Sequence, residues 1–232
     1  MNRVEVWLLS LVRVREHVNP LSRKYQVAAA PPAWQTVFAD VHRPLHLDVG
    51  CGRGKFLLDM AQQQPEWNFL GLEIREPLVA QANEWRAELG LTNLSYLFCN
   101  ANNSLRPLLN SLPVGVLQRV TIQFPDPWFK RRHQKRRVVQ PELVSVLAEF
   151  LVDGGSVLLQ SDVEEVAIEM RDRFAEHPAF TRQTEHWLNR NPLPVATERE
   201  LLVMSFHDPV YRLVFVKQEP HLLPQTPSPS AI

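Results

Sequence analysis

Leu45-His46-Leu47-Asp48-Val49-Gly50-Cys51-Gly52-Arg53-Gly54 sets five residues, apolar at Leu45, Leu47 and Val49, against three glycines at alternate positions. Leu45 to Val49 reads as a buried strand. The glycines read as a sharp turn into a helix marked by Phe56, Leu57 and Met60. Glycine stands where the backbone turns tightly or a ligand lies against it. In an open α/β sheet, ligands bind at the carboxyl ends of the strands. The turn is therefore a ligand platform by position.

The pattern continues on the C-terminal side. Further strands are predicted at Phe69–Leu72, Leu94–Phe98, Val116–Phe124, Val157–Gln160 and Arg212–Val216. Between them fall helical stripes: Leu78, Ala82, Trp85 and Leu89 with Gly90 as a cap; Leu105, Leu108 and Leu109; Leu143, Val146, Leu147 and Phe150 behind Pro141; and Val163, Val166, Ala167, Met170 and Phe174. Alternating strands and helices predict a doubly wound, mostly parallel, Rossmann-like α/β sheet with helices on both faces. On this reading residues 1–43 form a basic N-terminal arm, 44–218 the domain, and 219–232 a disordered, proline-rich tail.

The chain has 232 residues, 45% of them hydrophobic, which suits one α/β domain with extensions. Its 25 basic and 25 acidic residues cancel, so only the distribution of charge can point to a nucleic acid. The two cysteines, Cys51 and Cys99, have neither metal-ligand spacing nor the number a disulfide scaffold needs, and fit a reducing, cytoplasmic setting. No metal site is expected. The apolar run Val6–Val12 falls short of the roughly 18 residues a membrane span needs. Arg13, Arg15 and Glu16 follow it without a cleavage site, which makes it a poor signal peptide. It reads as a short terminal helix or strand, or as the product of an early start codon.

The glycine turn departs from a dinucleotide loop, because the third glycine comes one residue early and Lys55 fills the sixth position. Asp48, two residues before Gly50, would repel a pyrophosphate but suits a cationic amino acid moiety. S-adenosylmethionine carries an ammonium and a sulfonium and no phosphate. Glu73 closes the second strand, where a carboxylate can accept both hydroxyls of a ribose. Asp48, Gly50, Gly52, Gly54 and Glu73 are thus expected to bind this cofactor. Asn100, closing the third strand, reads equally as an acceptor for an adenine amino group or as a turn residue.

Phe124-Pro125-Asp126-Pro127-Trp128-Phe129 follows the fourth strand, beside the expected cofactor. Two prolines stiffen the backbone around Asp126, as a carboxylate that must aim at a base requires, and Trp128 and Phe129 offer rings for stacking. Next come Lys130, Arg131, Arg132, His133, Gln134, Lys135, Arg136 and Arg137, in which six of eight side chains are permanent cations. In a neutral chain this run points to RNA phosphate. Asp162 is another strand-end carboxylate and a site candidate, whereas helix capping suffices to explain Thr197-Glu198-Arg199-Glu200.

Together these residues resemble the tRNA (guanine-N7-)-methyltransferase family over residues 45–217, through Pro125–Trp128, Lys130 and the Lys135–Arg137 element. Arg13 to Ser22 also looks like the arm of relatives from photosynthetic lineages. The resemblance implies a seven-stranded methyltransferase sheet and methyl transfer from S-adenosylmethionine to N7 of a guanine in the tRNA variable loop. It further implies Asp48, Glu73, Asn100 and Asp126 as cofactor-binding residues, with Asp126 also catalytic. Lys130, Asp162, Thr197, Glu198, Arg199 and Glu200 take the substrate positions. Many relatives have aspartate at Asn100 and an aromatic residue at Arg199. Three rivals stand beside this reading. A small-molecule methyltransferase leaves the basic run unused. A DNA amino-methyltransferase usually carries an N/D-P-P-Y/F turn, which Pro125–Trp128 is not. A noncatalytic RNA-binding relative would not bind the cofactor.

Overall fold

β1 (Leu45–Val49) is buried along its whole length, as a central strand covered on both faces must be. The computed structural model describes residues 18–219. The arm residues Arg13 and Arg15, the Val6–Val12 run and the tail from 220 onward lie outside them. Beyond β1 run β2 (Asn68–Glu73), β3 (Leu94–Phe98), β4 (Leu117–Gln123), β5 (Ser156–Ser161), β6 (Phe180–Arg182) and β7 (Tyr211–Lys217). They form one seven-stranded sheet in the order β3-β2-β1-β4-β5-β7-β6. The first five strands are parallel, and β7 runs antiparallel to β5 and β6.

The helices are α1 (Trp34–Val37), α2 (Lys55–Gln63), α3 (Glu76–Glu88), α4 (Ala101–Asn110), α5 (Pro141–Phe150), α6 (Glu164–Ala175) and α7 (Glu198–Ser205). Two apolar clusters cover the two faces. One gathers α2 and α3 against Phe69, Leu94 and Tyr96, and the other gathers α4, α5 and α6 against Leu47, Leu70 and Val120. Strand order reverses between β1 and β4, which opens a crevice at their carboxyl ends.

Two features differ from the sequence reading, and a third, the capping role of Thr197, agrees with it. β6 has three residues, too few for a period-2 pattern to register. Trp34 and Phe38, placed in the arm, are 2% and 3% exposed and belong to the core, with the indole Nε1 of Trp34 donating to the Ser111 hydroxyl at 2.8 Å. Thr197 opens a true helix, its hydroxyl accepting from the amide of Glu200 at 3.0 Å.

Toward the carboxyl ends of β1, β4 and β5 one face of the sheet carries polar side chains, and Arg212 near the amino end of antiparallel β7 extends the row. The pairings Asp48↔Thr121, Gln123↔Gln160 and Gln160↔Arg212 set these groups side by side across four strands. This stripe runs from beneath the glycine turn toward α7.

Candidate active site

Two lobes of one cleft lie at the carboxyl ends of the central strands and share Gly50, Arg75, Phe124, Pro125 and Asp126. The larger, about 520 Å³, is walled by the glycine turn, Asp48, Asp162 and the first turn of α7. The narrower lies over Glu73, Ile74 and Asn100, with Val18 and Pro20 closing one side. Asp126 stands where they meet.

The glycine turn is tied to β2 by the amides of Gly50 and Cys51, which donate to the Leu72 carbonyl at 2.8 and 3.0 Å. Gly54 has φ +77°, and a Cβ there would come within 2.6 Å of the Tyr96 ring. The Tyr96 hydroxyl donates to the Gly54 carbonyl at 2.6 Å. A phenol thus props the turn from below, and only glycine leaves room for it.

Asp48 is 3% exposed. Its Oδ1 accepts from the Thr121 hydroxyl at 2.5 Å and from the Gln123 amide at 3.4 Å. Burial pushes its pKa up to about 6 against the opposing pull of these bonds, with help from the Glu73 charge. An unsolvated carboxylate aimed into a cleft suits a cationic ligand that would supply the missing countercharge.

Glu73 is equally buried, at 3% exposure, and both its oxygens are engaged. Oε2 accepts from the Gly52 amide at 2.9 Å and Arg75 Nη2 at 3.0 Å; Oε1 accepts from the amide and Nε of Arg75 at 3.0 and 2.8 Å. A carboxylate has about four acceptor sites, so all are filled, two of them by the Arg75 guanidinium. Arg75 went unnoticed in the sequence; a cation two residues after a strand-end acid was the available signal. Asn100 caps α4 through its Oδ1, which accepts from the Asn102 amide at 3.2 Å. Its Nδ2 donates to the carbonyls of Pro20 and Tyr25 at 3.2 and 3.3 Å. The segment 18–25 is thereby docked beside the narrower lobe.

The proline–aspartate turn is strained at both shoulders: Phe124 has φ +48° and Trp128 φ +41°. For bulky residues such angles cost roughly 1–3 kcal/mol each and persist only where the surroundings impose them. The Phe124 amide donates to the Gln160 carbonyl at 2.8 Å. Arg136 lies over the Trp128 ring at 4.9 Å and lines the narrower lobe.

On the far wall, Asp162 accepts from Arg199 Nη2 at 2.5 Å, and Lys55 Nζ donates to Glu198 at 3.2 Å. These pairs pin the first turn of α7 over the larger lobe. Asp162, Thr197, Glu198 and Arg199 all line it.

Two of the expected site residues lie back from the cleft surface. Glu200 does not line the cleft; it is 1% exposed and paired with Arg212 Nη2 at 2.7 Å. Its other oxygen accepts from Gln160 and Asn191 at 3.2 and 2.8 Å. Gln160 in turn donates to Gln123 at 2.8 Å, so Glu200 is the far end of a buried chain that begins at Asp48. Arg137 is also withdrawn, at 4% exposure, and ion-paired to Glu165 and Glu169. Both terminal nitrogens of its guanidinium are engaged by these carboxylates. Lys130, Arg131, Arg132 and Lys135 remain exposed, on or beside the short 3₁₀ turn Arg131–Arg136.

Among the described residues no cluster of histidine, cysteine and carboxylates has metal-binding form, and no helix is long and apolar enough to cross a membrane.

Solved structures share the fold. The 16S rRNA methyltransferase KamB aligns at TM-score 0.54 and 20% identity, covering 80% of this chain and 91% of that one. TrmN from Thermus thermophilus aligns at TM-score 0.51 and 17% identity, covering 75% and 45%. A family profile described as "Putative methyltransferase" matches residues 42–213. The tRNA (guanine-N(7)-)-methyltransferase of Trichormus variabilis is 64% identical over 208 residues, 89% of this chain and 97% of the relative. That of Synechococcus elongatus is 63% identical over 210 residues, 90% and 99%. With a methyltransferase sheet, a glycine turn flanked by two buried acids, and identity of this degree over nearly the full length of its relatives, the chain belongs to the tRNA (guanine-N(7)-)-methyltransferase family.

Proposed function

We propose that this chain methylates N7 of a guanine in the variable loop of tRNA, using S-adenosylmethionine, in the cytoplasm. The observation that carries the reading is Asp126, a stiffly held carboxylate at the junction of the two lobes. When bound, S-adenosylmethionine supplies a methyl group made electrophilic by its sulfonium. The donor set fits it: buried Asp48 for the ammonium, Glu73 for a diol once the Arg75 guanidinium yields its two acceptor positions, Gly50, Gly52 and Gly54 for close backbone approach, and Asn100 at the adenine end.

Guanine N7 already carries an in-plane lone pair, so the protein needs no base to uncover it. It must orient the purine and offset the positive charge that methylation leaves on the ring. Asp126 does both in this reading. Asp162 and the turn Thr197–Arg199 bound the space for the base, while Lys130, Arg131, Arg132 and Lys135, with Arg136 beside Trp128, hold the backbone. Because the major groove of an RNA helix is too narrow for side chains, the target is a loop nucleotide or one drawn out of its stack.

The test is incubation of unmodified tRNA with labelled cofactor, followed by nucleoside analysis. The expected product is 7-methylguanosine, lost in Asp126→Ala with most tRNA binding retained. A fully active variant removes Asp126 from catalysis; label in another nucleoside overturns the reaction assigned.

A further inference from the structure

We propose that Arg137 is a positioning residue, which holds the Pro125–Trp128 turn, and with it Asp126, in its working shape and makes no contact with RNA. The inference rests on the catalytic reading of Asp126. In the sequence Arg137 ends a run of six cations in eight residues, and one more partner for phosphate is the natural expectation. Its surroundings assign it otherwise.

Arg137 Nε donates to the Pro127 carbonyl at 2.7 Å. Nη2 donates to Glu165 at 2.7 Å and Nη1 donates to Glu169. The two carboxylates stand one turn apart on α6, and Gln134 reinforces the first at 3.0 Å. Two acids, neither of use to a phosphate site, therefore orient one guanidinium toward one carbonyl. Arginine suits this because its planar fork donates in three directions at once, which an ammonium on a flexible stem does not reproduce.

The carbonyl it grips is the informative part. Asp126 lies between shoulders at φ +48° and +41°, and such a turn relaxes unless held from outside. The Phe124 shoulder is held by its amide on the Gln160 carbonyl. At the Trp128 shoulder, Pro127 has no N–H, so its carbonyl is the one backbone group that residue offers for anchorage. Arg137 takes it. Arg136 over the Trp128 ring and His133 at its edge, 5.8 Å away, add ring contacts to the same shoulder.

The experiment compares R137M, R137K and the double variant E165Q/E169Q with the parent chain on unmodified tRNA. It records kcat, tRNA affinity as a function of salt, and the thermal midpoint. Displacing a catalytic group by about 1 Å costs on the order of 10²-fold in rate, so R137M should lose about that in kcat. Its tRNA affinity and salt slope should stay unchanged. R137K should recover part of the loss, and E165Q/E169Q should reproduce part of it while leaving tRNA binding intact. The inference is overturned if R137M keeps its kcat but binds tRNA more weakly, with the slope of log K against log salt reduced by about 0.7–0.9. It is equally overturned if kcat, measured well below the midpoint, is normal and only the midpoint falls. Should R137M fail to fold, the double variant decides: a loss of kcat with unchanged tRNA affinity supports the inference, and a normal kcat overturns it. D126N measured in parallel separates the two claims. Full activity there sinks the role of Asp126, whereas an inactive D126N beside a fully active R137M sinks only the role of Arg137.

Discussion

Asp48→Asn should make the cofactor-free protein more stable at neutral pH while abolishing its affinity for S-adenosylmethionine. Burial raises the pKa of Asp48 from 3.8 to about 6. At about 1.4 kcal/mol per pH unit, that shift amounts to about 3 kcal/mol of folding free energy lost above pH 6. The sign follows from proton counts. Between pH 4 and 6 the folded protein holds a proton here that the unfolded chain has released, so stability falls as pH rises through this window. Asparagine is never charged and keeps the Oδ1 that accepts from Thr121 and Gln123, so the variant escapes the penalty. At pH 7.5 it should melt about 6–12 °C higher, since 1 kcal/mol moves a domain of this size by about 2–4 °C. The advantage should shrink through pH 6 and vanish near pH 4. Taking the difference between the two proteins also cancels His46, which burial and Arg119 keep from protonating and which acts in the opposite direction. Thermal melts of both proteins at half-unit pH intervals, with and without cofactor, are the assay. A variant less stable than its parent at pH 7.5, or a gap independent of pH, would refute the reasoning and mean that the fold itself needs the charge.

Removing Arg212 from its pair with Glu200, both about 5% exposed or less, should cost about 3–5 kcal/mol, because the remaining carboxylate is left buried and uncompensated; urea denaturation of Arg212→Met measures this, and a loss under 1 kcal/mol would mean that the pair is not buried in solution. Replacing Arg131, Arg132 and Lys135 together by alanine should weaken tRNA binding and flatten its salt dependence by about 0.7–0.9 log unit for each phosphate left without its cation; an unchanged slope in a filter-binding titration would take these exposed cations off the RNA. Gly54→Ala, whose Cβ would sit 2.6 Å from the Tyr96 ring at φ +77°, should reduce cofactor affinity by calorimetry more than it alters the far-UV spectrum, and unchanged affinity would mean that the turn yields without cost.

The glycine turn, its parallel sheet and both flanking acids were legible because their signals are local. β1 read as a buried strand from Leu45, Leu47 and Val49 and from the glycines that end it, and its two polar residues, His46 and Asp48, are buried with them. The positive φ of Gly50, Gly52 and Gly54 reads from their missing Cβ atoms. The place of Asp126 followed from the end of β4 and the two prolines around it. β6 escaped notice because three residues show no alternation. Trp34 and Phe38 escaped because four residues of helix carry no stripe, although two large aromatic residues four apart were a fair hint of burial.

Charge was where reading along the chain said least about placement. Arg131 and Arg137 look alike in a basic run, yet the first is exposed and the second is buried against acids 28 and 32 residues away. Glu200 looks like the fourth residue of a polar cluster, yet its partners are Gln160, 40 residues back, and Arg212, 12 residues ahead. A side chain's electrostatic role depends on what shares its few ångströms of low-dielectric space, and that company is assembled by strand order and register. Chain-neighbour chemistry therefore specified the turns, the strands and the kinds of ligand they can hold. Which ions are paired inside the protein and which are left exposed was settled by packing between distant segments.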